Sequence, residues 1–178
     1  MSFLTLVKER RSVRNYLSTP VPRQLLEYCF EATRLAPSAC NQQPWYFIAV
    51  ESPSLRQKLG KAAFSGIYSL NQFALAAPVL VVVVAKASKV LPKVAGFLKK
   101  TPYYLIDVAI ACQHFVLAAT EEGLGTCWLG WFNEKAVKKV LGLKQSEHVP
   151  IMISVGYARE KENTVVRRKK LEEIRIYK

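Results

Sequence analysis

The stretch "RRSVR" places Arg10, Arg11, Ser12 and Arg14 within five positions, three guanidinium forks around one hydroxyl. Guanidinium N–H groups match phosphate oxygens in pairs and a serine hydroxyl adds a neutral donor, so this set suits the holding of an anion. The competing reading is that these basic side chains only complement the C-terminus of the preceding helix. A second set, "APSACNQQPW" over residues 36–45, lines up Asn41, Gln42 and Gln43 between two prolines. Amides carry donors and acceptors together, and can pair with the edge of a heterocycle or with one another in a well-bonded loop. A third set, "RRKK" over 167–170, is either a further anion contact or a solvated basic tail.

Other chemistries lack their signatures. There is no G-x-S-x-G, no P-loop and no G-x-G-x-x-G. Cys29, Cys40, Cys112 and Cys127 show no C-x-x-C spacing, and the two histidines are too few for most zinc sites. No metal site and no disulfide framework is expected, and the thiols read as free and mostly buried. His114 falls inside an apolar helix and reads as a satisfied core histidine, whereas His148 reads as solvated.

These sets need elements to position them. Residues 2–10 read as an opening helix and 11–19 as irregular. "STPVPRQLLEYCFEATRLAP" reads as a second helix, capped by Ser18 or Thr19, with Pro22 in its first turn and Pro37 ending it. "WYFIAVE" (45–51) reads as a buried strand, and Ser52 and Pro53 open a short helix. "VLVVVVA" (79–85), β-branched and unbroken, is a central strand. Residues 86–102, rich in lysine, read as an exposed excursion. Residues 103–122 form the longest helix, apolar nearly all round and therefore expected to be covered on most sides. "GLG" (123–125) stops it, and "TCWLGWF" is strand then turn. A short helix capped by Asn133 follows, then a strand over 149–158 and a basic tail. Helices and strands intermix without a β-α-β rhythm, which favours an α+β fold in one domain over residues 1–178.

Composition bounds the partners. Hydrophobic content of 51% and charged content of 22% describe a globular chain. The longest apolar run, Phe73 to Ala85, is broken by Pro78 and too short for a bilayer, and the opening residues lack the order of a signal peptide. No membrane association and a cytoplasmic location are expected. The net charge of +13 favours anionic partners. It is spread over separate clusters and no nucleic-acid motif accompanies it, so a basic nucleic-acid-binding protein is the weaker alternative.

In this order and separation, "RRSVRNYLSTPVP", "EATRLAPSACNQQPWYFIAV", "DVAIACQHFVLAATEEGLGTCWLGWF" and "VGYAREKENTVVRRKKLEEI" resemble the nitroreductase family of flavin enzymes over nearly the whole chain. The resemblance implies a mixed central sheet flanked by helices, and a homodimer with the long helix in its interface. It implies FMN at each of two subunit interfaces, reduced by NADH or NADPH in a ping-pong cycle and reoxidised by a nitroaromatic, a quinone or a related small acceptor. On this resemblance Arg10, Arg11, Ser12, Arg14 and Arg168 hold the phosphate and ribityl chain. Pro37, Ser38, Ala39 and Asn41 line the flavin from the partner subunit. Cys127, Trp128, Leu129 and Gly130 run beside the ring through backbone groups, and Asn71 or Gln72 touches its pyrimidine edge. No side chain is expected to serve as acid or base, since the hydride chemistry is the cofactor's own. Cys40 stands where the family often has glycine, so the backbone there is expected to be less able to take a positive φ. A carrier or sensor that binds FMN with little turnover needs the same residues and remains the second reading.

Overall fold

The computed structural model describes residues 1–86, 101–160 and 166–178. Most of the expected excursion, residues 87–100, lies outside the described residues. Four strands, β1 (Trp45–Val50), β2 (Val79–Ala85), β3 (Gly125–Leu129) and β4 (His148–Gly156), form one sheet in the order β1-β2-β4-β3. The α+β class expected from the sequence is found. Among the described residues a mixed sheet is not: every neighbouring pair of strands runs antiparallel. Parallel pairing among them is confined to one isolated bridge, Ser12 with Thr126. The reason lies in the connections. Helix α3 (Pro53–Ala63) leads away from β1, and the 3-10 turns of Gly66–Ala76 lead back, so Leu80 lies opposite Val50.

Strand β2 has every residue buried, as its unbroken apolar run requires. Its alternate side chains feed two cores. Val79, Val81 and Val83 join Ile153 and Val155 against α2 (Arg23–Arg34) and α4 (Tyr103–Glu121). Leu80, Val82 and Val84 join Met152 and Leu129 on the other face, under α3 and α5 (Glu134–Leu141). Each fully buried valine contributes roughly 1.5 kcal/mol or more of transfer free energy, so this strand anchors the three layers. Its neighbour β4 starts at His148, and that side chain is not simply solvated. It approaches the Tyr104 hydroxyl at 3.4 Å and Glu134 at 3.9 Å.

The short helix α1 (Phe3–Glu9) is capped by Ser2, whose Oγ accepts from the Thr5 N–H. Helix α2 departs from expectation at its start. Its N-cap is Pro22 with no side-chain cap, so Ser18 and Thr19 lie upstream, and the cap position holds a residue without a side-chain acceptor. It ends at Arg34, three residues before Pro37, as proline demands. Asn133 caps α5 by accepting from the Ala136 N–H at 3.1 Å. Helix α4 is long and apolar enough by composition to cross a bilayer, yet Val108, Ala111, Cys112, Phe115 and Ala119 are buried against the sheet and α2. One stripe of α4 is only partly covered by the described residues: Ile106 is exposed, and half-buried Ile110, His114 and Leu117 line a groove with Phe3, Leu6 and Tyr28.

The segment after α1 crosses the end of the sheet. Val13 N–H donates to Thr126 C=O at 2.9 Å, Leu17 N–H to Tyr157 C=O at 2.9 Å, and Arg159 N–H to Asn15 C=O at 3.0 Å. Two glycines permit this close approach. A Cβ at Gly125 would lie 2.6 Å from Val13 Cγ2, and one at Gly156 would run into the Pro78 ring. Buried Tyr16 locks the crossing, donating from its hydroxyl to Val13 C=O at 2.7 Å and pairing with Ser154 Oγ at 2.8 Å.

Candidate functional site

That crossing sets the "RRSVR" side chains beside β3. Arg10, Arg11 and Ser12 are half-buried and Arg14 is exposed. Burial pushes the Arg10 guanidinium below its ordinary pKa, the charges of Arg168 and then Arg11 add to the shift, and Cys127 opposes it. Arg168, distant in sequence, therefore carries its charge near enough to be felt at Arg10. None of Arg10, Arg11, Arg14 and Arg168 pairs with a carboxylate among the described residues. Their available hydrogen bonds go to nearby carbonyls instead: Arg11 to Lys8 at 2.6 Å, Arg14 to Ser12 at 3.3 Å, Arg168 to Arg167 at 3.3 Å. Glu9 and Glu160 line the Arg11 cleft and Glu173 the Arg168 cleft, yet none closes an ion pair among the described residues. A bound anion would still relieve the repulsion among the arginines.

The wall continues along β3. Cys127 and Leu129 are buried in the core on the α3/α5 side, so only their backbone can face a ligand, while Trp128 packs on the opposite face. Gly130 is exposed. Beyond it, the Asn71 amide donates to Trp131 C=O at 2.9 Å, and the Arg14 guanidinium lies 6.0 Å from the Phe73 ring centroid. Asn71 thus joins this wall, whereas Gln72 is exposed and carries no contact that places it there.

The 36–45 loop sits elsewhere. Ala39 N–H donates to the Asp107 carboxylate at 2.9 Å, in the first two turns of α4. Arg11 shares a cleft with Thr120 and Gly125, at the other end of that helix. Asp107 and Thr120 are thirteen residues apart on α4, about 20 Å at 1.5 Å per residue. Within one chain, Pro37, Ser38, Ala39 and Asn41 do not meet Arg10 or Arg168.

Internally the loop is heavily bonded. Ser38 Oγ accepts from Gln43 N–H at 2.9 Å, and the Gln43 amide donates to Asn41 Oδ1 at 2.9 Å. Three non-glycine residues take positive φ: Cys40 (52°), Asn41 (52°) and Gln43 (45°). The expected reluctance of Cys40 is thus overturned. Hydrogen bonds from Asn41 N–H to Ser38 C=O at 3.0 Å and from Gln42 N–H to Ala39 C=O at 3.2 Å hold the left-handed turn despite the Cβ.

Comparison with known proteins agrees with this architecture. The model of the Nitroreductase family matches residues 7–157. This chain belongs to the nitroreductase family. A relative from Archaeoglobus fulgidus, "Putative NADH dehydrogenase/NAD(P)H nitroreductase", is 31% identical over 166 residues, covering 90% of this chain and 87% of that protein. A crystal structure of a nitroreductase family protein from Clostridium novyi NT is 32% identical with a TM-score of 0.78, covering 92% of this chain and 90% of that one. A protein described as an FMN-dependent nitroreductase, from Clostridium difficile R20291, is 25% identical with a TM-score of 0.77 and covers 98% of each chain.

This nitroreductase family member is accordingly an oxidoreductase. Its thiols behave largely as expected. Cys29, Cys112 and Cys127 are buried, and Cys40 alone is exposed. Burial pushes the Cys29 and Cys112 thiols up to about 12, which leaves them protonated and unreactive. His114 is satisfied by Ala32 C=O at 3.1 Å. Sequence reasoning missed Asp107, which tethers the 36–45 loop; a lone carboxylate on an otherwise apolar helix was the available signal. It also missed the Tyr16–Ser154 pair, which no local pattern announces because the two residues meet only across the sheet.

Proposed function

We propose that this nitroreductase family member is a cytoplasmic, homodimeric, FMN-dependent oxidoreductase. On this reading it takes electrons from NADH or NADPH in a ping-pong cycle and passes them to nitroaromatic, quinone or related small acceptors. The observation that carries the reading is the seating of Arg10, Arg11 and Ser12 beside β3 through the Ser12–Thr126 bridge, with the Arg168 charge felt at Arg10 and no ion pair to these arginines among the described residues. This donor set fits a phosphate-bearing ligand: Arg10, Arg11, Arg14 and Arg168 supply charge and paired N–H groups, and Ser12 adds a hydroxyl. Bound FMN would supply the hydride chemistry. The chain's part is to hold it by the phosphate, to present the Cys127–Gly130 backbone and the Asn71 side chain to its ring, and to limit water. Residues 1–178 act in this reading as one FMN-binding domain.

The distance between the arginines and the 36–45 loop supports a two-subunit site, in which Pro37, Ser38, Ala39 and Asn41 come from a second copy. The partly covered stripe of α4 with Phe3 and Leu6 gives that copy an apolar face to cover. Four cysteines joined by no disulfide suit a reducing compartment.

The purified protein is expected to be yellow, with a bound-flavin absorption spectrum, and to elute as a dimer. Arg10→Ala and Arg168→Ala should each weaken FMN binding by roughly tenfold to a hundredfold, the range for losing a hydrogen bond to a charged group. Steady-state reduction of nitrofurazone and menadione, with NADH and NADPH in parallel, separates an enzyme from a slow flavin carrier. A colourless protein that takes up no added FMN would overturn the reading.

A further inference from the structure

The longest uncharged stretch of this strongly basic chain runs from Ala62 to Ala85, and part of it is not core. Ile67 and Leu70 are 75% and 79% exposed, on the 3-10 turns before β2. Trp131, on the turn after β3, is 52% exposed beside them. Its indole is held in place. Nε1–H donates to Ile67 C=O at 2.8 Å, and the ring meets Tyr68 at a centroid distance of 5.2 Å and a tilt of 49°. The backbone is held as well, because the Asn71 amide donates to Trp131 C=O. Two aromatic rings and two aliphatic side chains thus make an open, uncharged corner of fixed shape. Apolar side chains gathered in one exposed patch, unlike single scattered ones, mark a contact surface.

The corner abuts the proposed flavin wall, since Gly130 precedes Trp131 and Asn71 follows Leu70. Resting on that reading, we infer that Trp131, backed by Tyr68 and flanked by Ile67 and Leu70, is a specificity-determining side chain that selects flat, uncharged aromatic acceptors by stacking. No lysine, arginine or acid lies between Lys61 and Lys86 in the sequence, and the Arg14 guanidinium stands over Phe73 rather than over the Trp131 ring. Aromatic faces reward planarity, so compact non-planar acceptors gain nothing from the indole.

The test uses the FMN-loaded protein and two acceptors, menadione as a flat neutral quinone and ferricyanide as a compact charged one. Trp131→Ala should raise the KM for menadione by about five- to tenfold, the equivalent of one lost aromatic contact. It should leave FMN affinity and the KM for ferricyanide within about twofold on the same scale. Trp131→Phe keeps a ring but loses the hydrogen bond to Ile67, and should recover most of the menadione affinity. Equal losses for both acceptors would overturn the inference, as would a Phe variant as poor as the Ala variant, or a Trp131→Ala protein that no longer dimerises. A wild-type protein without bound flavin or turnover would remove the functional reading itself, and the inference with it.

Discussion

Replacing Cys40 by glycine should stabilise the protein. Cys40 sits at φ 52° and ψ 28°, a left-handed conformation that costs an L-residue roughly 1–2 kcal/mol through its Cβ. Glycine removes that cost but adds chain entropy to the unfolded state, worth about 0.4–1 kcal/mol in the opposite direction. The side chain is exposed, so no buried packing is lost. The net gain is therefore about 0.5–1 kcal/mol. For a chain of this length that is a rise in Tm of roughly 1–4 °C, with a matching shift of the urea midpoint at unchanged m. Cys40→Ala keeps the Cβ and serves as the control, expected to be near neutral. Cys40→Val should destabilise, because a β-branched side chain tolerates positive φ least. A Cys40→Gly protein that melts at or below the wild-type temperature would refute the reasoning, since it would mean that the loop is not strained at this residue.

Two further outcomes follow from buried or partnered carboxylates. Asp107→Ala leaves the Ala39 N–H without its acceptor and should cost about 1.5–3 kcal/mol, with faster amide exchange over residues 38–43; unchanged exchange there would detach the loop from α4. Burial alone would raise the Glu134 carboxyl, but the Val149 N–H, the Lys138 ammonium and His148 outweigh it and hold its pKa below the usual value. A pKa depressed by folding stabilises above the unfolded value, near 4.3, and that stability is lost as pH falls through the folded value. Glu134→Gln should therefore show a shallower loss of urea midpoint than wild type below about pH 4.5, and identical slopes would show that the carboxylate is not stabilising.

What the sequence determined by itself was local. "VLVVVVA" read as a buried central strand, Asn133 as the cap of the helix after it, and Pro37 as the end of α2, and the structure has each so. Four segments in the right order and separation were enough to suggest the family by resemblance, although no single one of them decided it. Direction and distance were not legible there. Nothing in the connection between β1 and β2 reveals that the 3-10 turns lead the chain back to make the pair antiparallel, since that depends on how α3 packs. Hydrogen bonds across the loop, not residue type, decided that Cys40 could take the left-handed conformation. Only tertiary packing brought the Arg168 charge near enough to be felt at Arg10 and left the 36–45 loop at the far end of α4. A rigid helix converts thirteen residues into a separation that one chain does not close.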